Sequence, residues 1–283
     1  MNLSKRASSK QAELWNGRSG RAWVEAQNVL DATYKPFETA LVDAVRAQSA
    51  RRILDVGCGT GATTLALARV VGEQGVCVGV DVSEPMLALA RDRAQRENAS
   101  ARFVHADAQT HAFEPGAFDM VVSRFGVMFF DEPVEAFANL RRAVRAGGRL
   151  RFIAWRAPAD NPFMTVAEQA AAHLLPDLAT RPVGAQGPFA FADPRRIADV
   201  LDASGWKEVE VAPIDGACTM PEAELAGVFT RLGPVGAAYD QADTALRKQI
   251  VEAVRPAFDS FVQAGVVRYT AACWSVSAAS PGA

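Results

Sequence analysis

Arg51 to Ala62 read R-R-I-L-D-V-G-C-G-T-G-A, and the fold turns on these twelve residues. Ile53, Leu54 and Val56 form a short apolar, β-prone run, and Gly57, Gly59 and Gly61 follow at once, leading into a helix-compatible run from Ala62 to Val71. The pattern predicts a strand, a tight turn and a helix start. Glycine there lets the backbone take unusual dihedrals and approach a ligand closely, while a helix N-terminus offers free N–H groups and a positive dipole end. A ligand carrying a carboxylate or phosphate fits such a turn. These residues alone leave two readings open, because Gly57-x-Gly59-x-x-Ala62 also satisfies the dinucleotide-binding pattern.

Three further features separate the readings: Asp55 just before the first glycine, the extra Gly61, and polar residues closing the strands that follow. The run D-V-G-C-G-T-G, Asp55 to Gly61, resembles the first motif, D-x-G-x-G-x-G, of the class I S-adenosylmethionine (AdoMet)-dependent methyltransferases. Within that family the chain is similar to the small-molecule group that includes the ubiquinone and menaquinone C-methyltransferases. The resemblance implies an α/β fold: a doubly wound, mostly parallel seven-stranded sheet, its last strand antiparallel between the fifth and sixth, with helical cap insertions. It also implies AdoMet as methyl donor, S-adenosylhomocysteine as product, and cofactor contacts from Gly57, Gly59 and Thr60.

Downstream, Val76 to Val80 form a second apolar run ending in Asp81, about twenty residues past the glycine loop and placed to accept hydrogen bonds from two ribose hydroxyls. Asp81 as a mere helix cap is the competing reading, but Ser83 already serves as a good N-cap, with Glu84 and Pro85 in the first turn. Val82 and Met86 fall beside the adenine in this register. A short third strand, Arg102 to His105, leads to Asp107 and Ala108, which match the family position that meets the adenine amino group and a ring nitrogen. The fourth strand, Phe118 to Val122, closes at Ser123-Arg124-Phe125-Gly126; the switch point between the first and fourth strands places the Ser123 backbone carbonyl to meet the ammonium at the methionine end of AdoMet and Arg124 and Phe125 toward the acceptor. Phe129 and Phe130 read as core. Val134 to Val144 read as an amphipathic helix ended by Gly147-Gly148, with Leu150 to Trp155 as the fifth strand.

Two absences narrow the chemistry. The [DNS]-P-P-[YFW] tetrapeptide of amino-methyltransferases is missing after the fourth strand, and no acidic pair stands ready for magnesium. Four scattered cysteines, Cys58, Cys77, Cys218 and Cys273, suggest neither zinc nor a disulfide framework, and no metal is expected; Cys58 reads as a small filler. His173 joins Arg124 and Phe125 as an acceptor-pocket candidate, although a lone histidine on a partly apolar helix is more often structural. Should the acceptor need a base, Tyr34, His111 and Tyr239 are further helpers.

The whole chain reads as one methyltransferase domain, residues 1–283, with 51–155 as the cofactor-binding core. Residues 1–50 read as an N-terminal helical lid carrying Trp15-Asn16-Gly17, Arg21 and Trp23, of which Trp15 and Arg21 are assigned to the cofactor; Gly17, Gly20 and Pro36 interrupt the helical periodicity. Residues 156–193 and 214–265 read as acceptor-side insertions, with helices at 162–175, 221–232 and 240–253; residues 194–203 read as the core's next helix, 209–212 suggest the sixth strand and 266–276 the last. A hydrophobic fraction of 49% and a charged fraction of 22% are ordinary for a globular protein, and a net charge of -2 gives no case for nucleic acid or an anionic membrane. The arginines at 141, 142, 145, 149 and 151 read as a solvated helix and strand edge. Lys5, Arg6 and Lys10 precede no apolar core, and no run reaches the length of a membrane span, so a cytoplasmic protein is expected, as monomer or homodimer.

The activity expected is therefore methyl transfer from AdoMet to a small molecule, driven mainly by positioning and exclusion of water. A non-catalytic AdoMet-binding protein and an NAD-dependent oxidoreductase are the rivals. The second leaves Asp55, Gly61 and Asp107 unexplained and lacks an evident Tyr-x-x-x-Lys pair.

Overall fold

The computed structural model describes residues 11–176, 178 and 186–282. Lys5, Arg6 and Lys10, the first ten residues of the expected lid and part of the 156–193 insertion lie outside them. The first strand, β1 (Arg52–Val56), is buried from Ile53 onward and forms the middle of the sheet. It pairs in parallel with β2 (Val76–Asp81) on one side and β4 (Phe118–Arg124) on the other. β3 (Ala101–His105) extends the sheet beyond β2, and β5 (Val144–Trp155) extends it beyond β4. The long β8 (Val266–Ala279) lies antiparallel between β5 and β6 (Lys207–Pro221), giving the order β3-β2-β1-β4-β5-β8-β6. Seven strands therefore follow the expected topology, and an eighth, the two-residue β7 (Val262–Gln263), pairs with β8 through a hairpin.

The chain steps one way from β1 to β3 and the other way from β4 to β5. With right-handed crossovers, this places α4 (Ala62–Val71) and α5 (Glu84–Arg96) on one face and α6 (Pro133–Ala143) on the other. The reversal lies between the carboxyl ends of β1 and β4, where open α/β sheets bind their ligands. Ala62 to Ala68 are all buried, so α4 is a central helix without a solvated face. Upstream, residues 11–16 are helical and are followed by α1 (Arg18–Glu25), α2 (Gln27–Thr33) and α3 (Lys35–Ala47). Gly17 is the N-cap of α1, and Pro36 sits in the first turn of α3, where its missing N–H costs nothing, so both open helices. Phe37 and Leu41 of α3 enter the main core with Phe137, Phe152, Phe191 and Trp206.

Several boundaries differ from the sequence reading. α6 ends at Ala143, and the next residue already belongs to β5, so Gly147, with a left-handed φ of 69°, and Gly148 lie where the β4–β5 register shifts and not at a helix end. A Cβ on Gly148 would stand 2.4 Å from Val144 Cγ1 and 2.7 Å from the Asp119 carbonyl, so close strand packing requires this glycine. β6 spans fifteen residues, with Pro213 tolerated because β6 is an edge strand hydrogen-bonded only to β8. Residues 222–257 hold three helices, α9 (Glu222–Arg231), α10 (Gly233–Gln241) and α11 (Thr244–Ala257), because Gly233-Pro234 start a helix in the interval between the two expected at 221–232 and 240–253. α7 (Pro162–Ala171) is shorter than expected, whereas α8 (Pro194–Ala203) matches its predicted range. The arginine cluster is pinned at three points: Arg141 Nε donates to the Ser204 carbonyl at 3.0 Å, Arg145 pairs with Asp119 and Arg149 with Glu208.

A second, smaller apolar cluster holds the insertions together. Phe163 of α7, Leu225 and Phe229 of α9, and Ile250, Val254 and Phe258 of the α11 region close over Met220 and Val267, at the far ends of β6 and β8. Asn161 fixes the start of α7 to β8, accepting from Ala272 N at 2.9 Å and donating to Ala272 O at 2.9 Å. No described helix is long and apolar enough to cross a membrane.

Candidate active site

Val56 ends β1 and the chain turns at once through Gly57, Gly59 and Gly61, with φ of 67°, 54° and 86°. A Cβ at Gly57 would stand 2.6 Å from Gly126 Cα, and one at Gly59 would stand 2.7 Å from Met86 Cε. The loop is tied to β2 by Gly57 N and Cys58 N, which donate to the Val80 carbonyl at 2.9 and 3.2 Å. No side chain caps α4, so its first N–H groups remain available to a ligand. Asp55, 2% exposed, accepts a 2.6 Å bond from Thr64 Oγ1. Burial pushes its carboxyl up to about 7, against the opposing pull of Thr64 and Arg124.

Asp81 closes β2 with its carboxylate turned to the loop: Oδ2 accepts from Gly59 N and Oδ1 from Ser83 N, each at 2.8 Å. Burial raises its pKa, and the N–H groups of Ser83, Gly59 and Val82 oppose that rise. Ser83, expected to cap α5 through its side chain, does not; its hydroxyl donates to the Trp15 carbonyl at 2.6 Å. The α5 terminus is met from the N-terminal segment, where Asn16 Oδ1 accepts from Glu84 N at 2.8 Å and Asn16 Nδ2 donates to Val82 O at 2.7 Å. Gly20 permits this approach, since a Cβ there would stand 2.7 Å from Ser83 Oγ. Trp15 then packs edge-on against Phe129 at 5.2 Å and Trp23 at 6.3 Å.

A cavity of about 210 Å³ runs from this loop between the sheet edge and the N-terminal helices. Gly57, Gly59, Thr60, Asp81, Val82 and Met86 line it, as do Asp107, Ala108, Trp15, Arg124 and Phe125. Met86 is 5% exposed, and the Asp107 carboxylate accepts from Gln109 N at 2.9 Å. Phe125 carries a left-handed φ of 66°, costly for an aromatic residue, and stacks on Trp155 at 4.7 Å and 10°. Tyr34 meets both rings edge-on, at 5.5 and 5.8 Å.

Three expected site residues lie elsewhere. Arg21 is exposed on α1, which turns Trp23 to the cavity instead. Ser123 is fully buried behind the lining, with its hydroxyl donating to Val56 O at 2.7 Å and accepting from Gly126 N at 3.1 Å. His173 is exposed in the turn after α7, because that helix stops at Ala171; Met164 is the residue of α7 that reaches the cavity. His111 packs on Phe113 and Tyr239 lies under Arg247, both away from the lining, whereas Tyr34 belongs to it. Cys58, Phe129 and Phe130, expected as filler and core, also line the cavity.

Gln27, Asp31 and Arg93 were not singled out from the sequence. Asp31 Oδ2 accepts from Gln27 Nε2 at 2.5 Å and pairs with Arg93 Nη2 at 2.9 Å, while Arg93 Nη1 donates to Thr60 O at 2.8 Å. This chain of bonds joins α2 to the glycine loop. The spacing of Gln27 and Asp31, four apart on a helix, was the available signal. Among the described residues no cluster of three or more His, Cys, Asp or Glu could hold a metal ion.

A glycine loop at the switch point, an acidic residue ending β2 and another after β3 define a methyltransferase of the AdoMet-dependent class, and residues 53–148 match the family described as "Methyltransferase domain". The chain is 32% identical to a demethylmenaquinone methyltransferase of Deinococcus radiodurans, over 57% of this chain and 70% of that one. It is 33% identical to a demethylmenaquinone methyltransferase of Thermus thermophilus, over 58% and 78%, and 30% identical to nocamycin O-methyltransferase of Saccharothrix syringae, over 69% and 75%. The YcgJ protein of Bacillus shares the fold, with a TM-score of 0.57 at 17% identity, covering 88% of this chain and 100% of its own. The chain belongs to the AdoMet-dependent methyltransferase family, and AdoMet is its methyl donor.

Proposed function

We infer that this methyltransferase acts on a small organic acceptor within the cavity beneath its N-terminal helices. The observation that carries the reading is that one cavity collects the glycine loop, Asp81 and Asp107 at one end and aromatic walls from Tyr34, Phe125 and Trp155 at the other. The donor set suits AdoMet. Gly57 and Gly59 leave room that a Cβ would fill, Asp81 is the ribose acceptor, Val82 and Met86 flank the adenine, and Asp107 with the Ala108 N–H reads its edge. Thr60 belongs with the uncapped start of α4, and Trp15 covers the adenosyl end as part of a lid. Arg21 and His173 are not carried forward, since both are exposed outside the lining, and Ser123, whose side chain lies behind it, keeps only its backbone-carbonyl contact with the methionine end. The relatives act, by name, on demethylmenaquinone and nocamycin, small organic molecules of the kind proposed here.

When bound, AdoMet supplies an already activated sulfonium methyl. The protein's task is to align the nucleophile and exclude water, which the lid and the apolar walls accomplish. The four unpaired cysteines suit a reducing compartment, so the proposed location is cytoplasmic.

Parallel calorimetric titrations with AdoMet, S-adenosylhomocysteine, NAD and NADH test the donor site. The two adenosyl thio-compounds should bind and the dinucleotides should not. Asp81→Ala should weaken S-adenosylhomocysteine by roughly 10–100-fold, the worth of hydrogen bonds to a charged acceptor. Unchanged affinity in that variant would remove the ribose assignment.

A further inference from the structure

We propose that Arg124 is the anion receptor for the acceptor, and that the acceptor is a planar conjugated molecule presenting an ionised oxygen, a phenolate or an enolate. The proposal rests on the small-molecule reading above and names the substrate class for that site.

The charge inventory of the cavity comes first. Among its described lining residues Arg124 is the only lysine or arginine, against four aspartates, Asp31, Asp55, Asp81 and Asp107. Its side chain is 13% exposed, so its charge is held largely out of water. The guanidinium is nevertheless poorly paired. Asp31 Oδ1 stands 3.8 Å from Nη2, beyond hydrogen-bonding distance, and Asp31 already serves Arg93 and Gln27 through its other oxygen. Nη1 is buried and has no hydrogen-bond partner among the described residues. A desolvated guanidinium with an unused donor gains most from a ligand oxyanion.

Position separates this group from the adenosyl end. Asp81 ends β2 and Arg124 ends β4, with β1 between them, so their strands stand two spacings apart, roughly 10 Å. Phe125 follows Arg124 in the chain, Trp155 stacks on Phe125 and Tyr34 meets both rings edge-on, so flat side chains that suit a conjugated ring flank this end of the cavity. No base stands free in the cavity: of the lining carboxylates flanking Arg124, Asp31 is held by Arg93 and Gln27 and Asp55 by Thr64. Burial raises the Tyr34 hydroxyl to about 12 and the Cys58 thiol well above its usual value, so at neutral pH both are protonated, and no histidine or lysine lines the cavity among the described residues. A nucleophile that arrives already ionised needs none. Its oxygen, or a carbon conjugated to it, bonds to the methyl carbon as the carbon–sulfur bond breaks with its electron pair passing to sulfur. The oxygen route moves no proton, and the carbon route releases its C–H proton to water.

The probe is 4-nitrophenol, whose anion absorbs in the visible, titrated spectrophotometrically into the full chain saturated with S-adenosylhomocysteine. Bound probe should ionise at lower pH than free probe. Arg124→Gln should weaken binding of the anion at least tenfold and abolish that shift, with Arg124→Lys recovering part of it. Absence of nitrophenolate binding by the unaltered protein, or equal binding by Arg124→Gln, overturns the proposal. The methionine carboxylate of the donor is the rival anion, so each variant is also titrated with S-adenosylhomocysteine and with 5′-methylthioadenosine, which lacks that carboxylate. Selective loss of the first would assign Arg124 to the donor and overturn the acceptor role; unchanged affinity for both also shows that the variant is folded. Failure of the methyltransferase reading has a different signature, since the unaltered protein would then not bind S-adenosylhomocysteine at all.

Discussion

Asp55 is the first motif residue and is nearly sealed from solvent, and its carboxyl is pushed up to about 7 chiefly by burial. An unfolded chain releases that proton near pH 4. Between about pH 4 and 7 the folded protein therefore holds more protons than the unfolded one, and by linkage its stability falls as pH rises through that window and levels off above it. Asp55→Asn keeps an oxygen for the Thr64 hydroxyl but cannot ionise. Urea unfolding at pH 5 and pH 8 should show a smaller loss of stability in the variant than in the unaltered protein, by on the order of 2–4 kcal/mol. Identical pH slopes would place the proton elsewhere. The motif made Asp55 visible in the sequence, but its shifted titration was not, because it depends on burial in the folded core, opposed by Thr64 in the first turn of α4 and by Arg124 at the end of a strand 69 residues away. Phe125 makes a similar point. Beside Gly126, the natural candidate for a left-handed dihedral, Phe125 takes it, and its stack on Trp155 from the end of β5 is invisible to local propensity.

The elements carrying the glycine loop were legible because each is a local pattern: an apolar run, a turn, then a helix, repeated. What the sequence left unread was how elements cap one another across the fold. Ser83 has the composition of an N-cap, yet its hydroxyl goes to Trp15 and the α5 N–H is taken by Asn16, sixty-eight residues upstream. A cap supplied by a distant segment is also a latch, since breaking it frees both partners. Under the lid reading, Asn16→Ala removes the bonds to Val82 O and Glu84 N, each worth about 0.5–1.5 kcal/mol. Dissociation of S-adenosylhomocysteine, followed by stopped-flow displacement, should then accelerate roughly tenfold. The variant should still unfold in one transition, its midpoint lowered by no more than the loss of those bonds accounts for. An unchanged off-rate would make the Asn16 bonds a local cap without control of ligand exit.

On the scale of the whole molecule, the cavity draws on two kinds of information. Its adenosyl half comes from residues 55–60, 80–86 and 106–109, one motif after each of the first three strands, and such spacing can be read along a chain. Its other half joins Gln27, Asp31 and Tyr34 from the N-terminal helices to Arg124, Trp155, Met164 and Pro188, residues brought together only by the strand order. The second apolar cluster takes little part, since no residue of α9, α10 or α11 lines the cavity. A ligand held there ties the N-terminal helices to the sheet edge without loading α9–α11, and this partition is measurable by hydrogen exchange. At S-adenosylhomocysteine concentrations about a hundredfold above its dissociation constant, binding should stabilise the folded chain by about 2.7 kcal/mol. Added protection should concentrate in residues 11–34 and 55–60 and at the end of β2, where loops and helix termini open most readily, while amides in α9–α11 that open locally keep their rates. Equal protection across α9–α11 would show that the second cluster closes with the first, making the insertions part of the lid's motion rather than a fixed wall beside it.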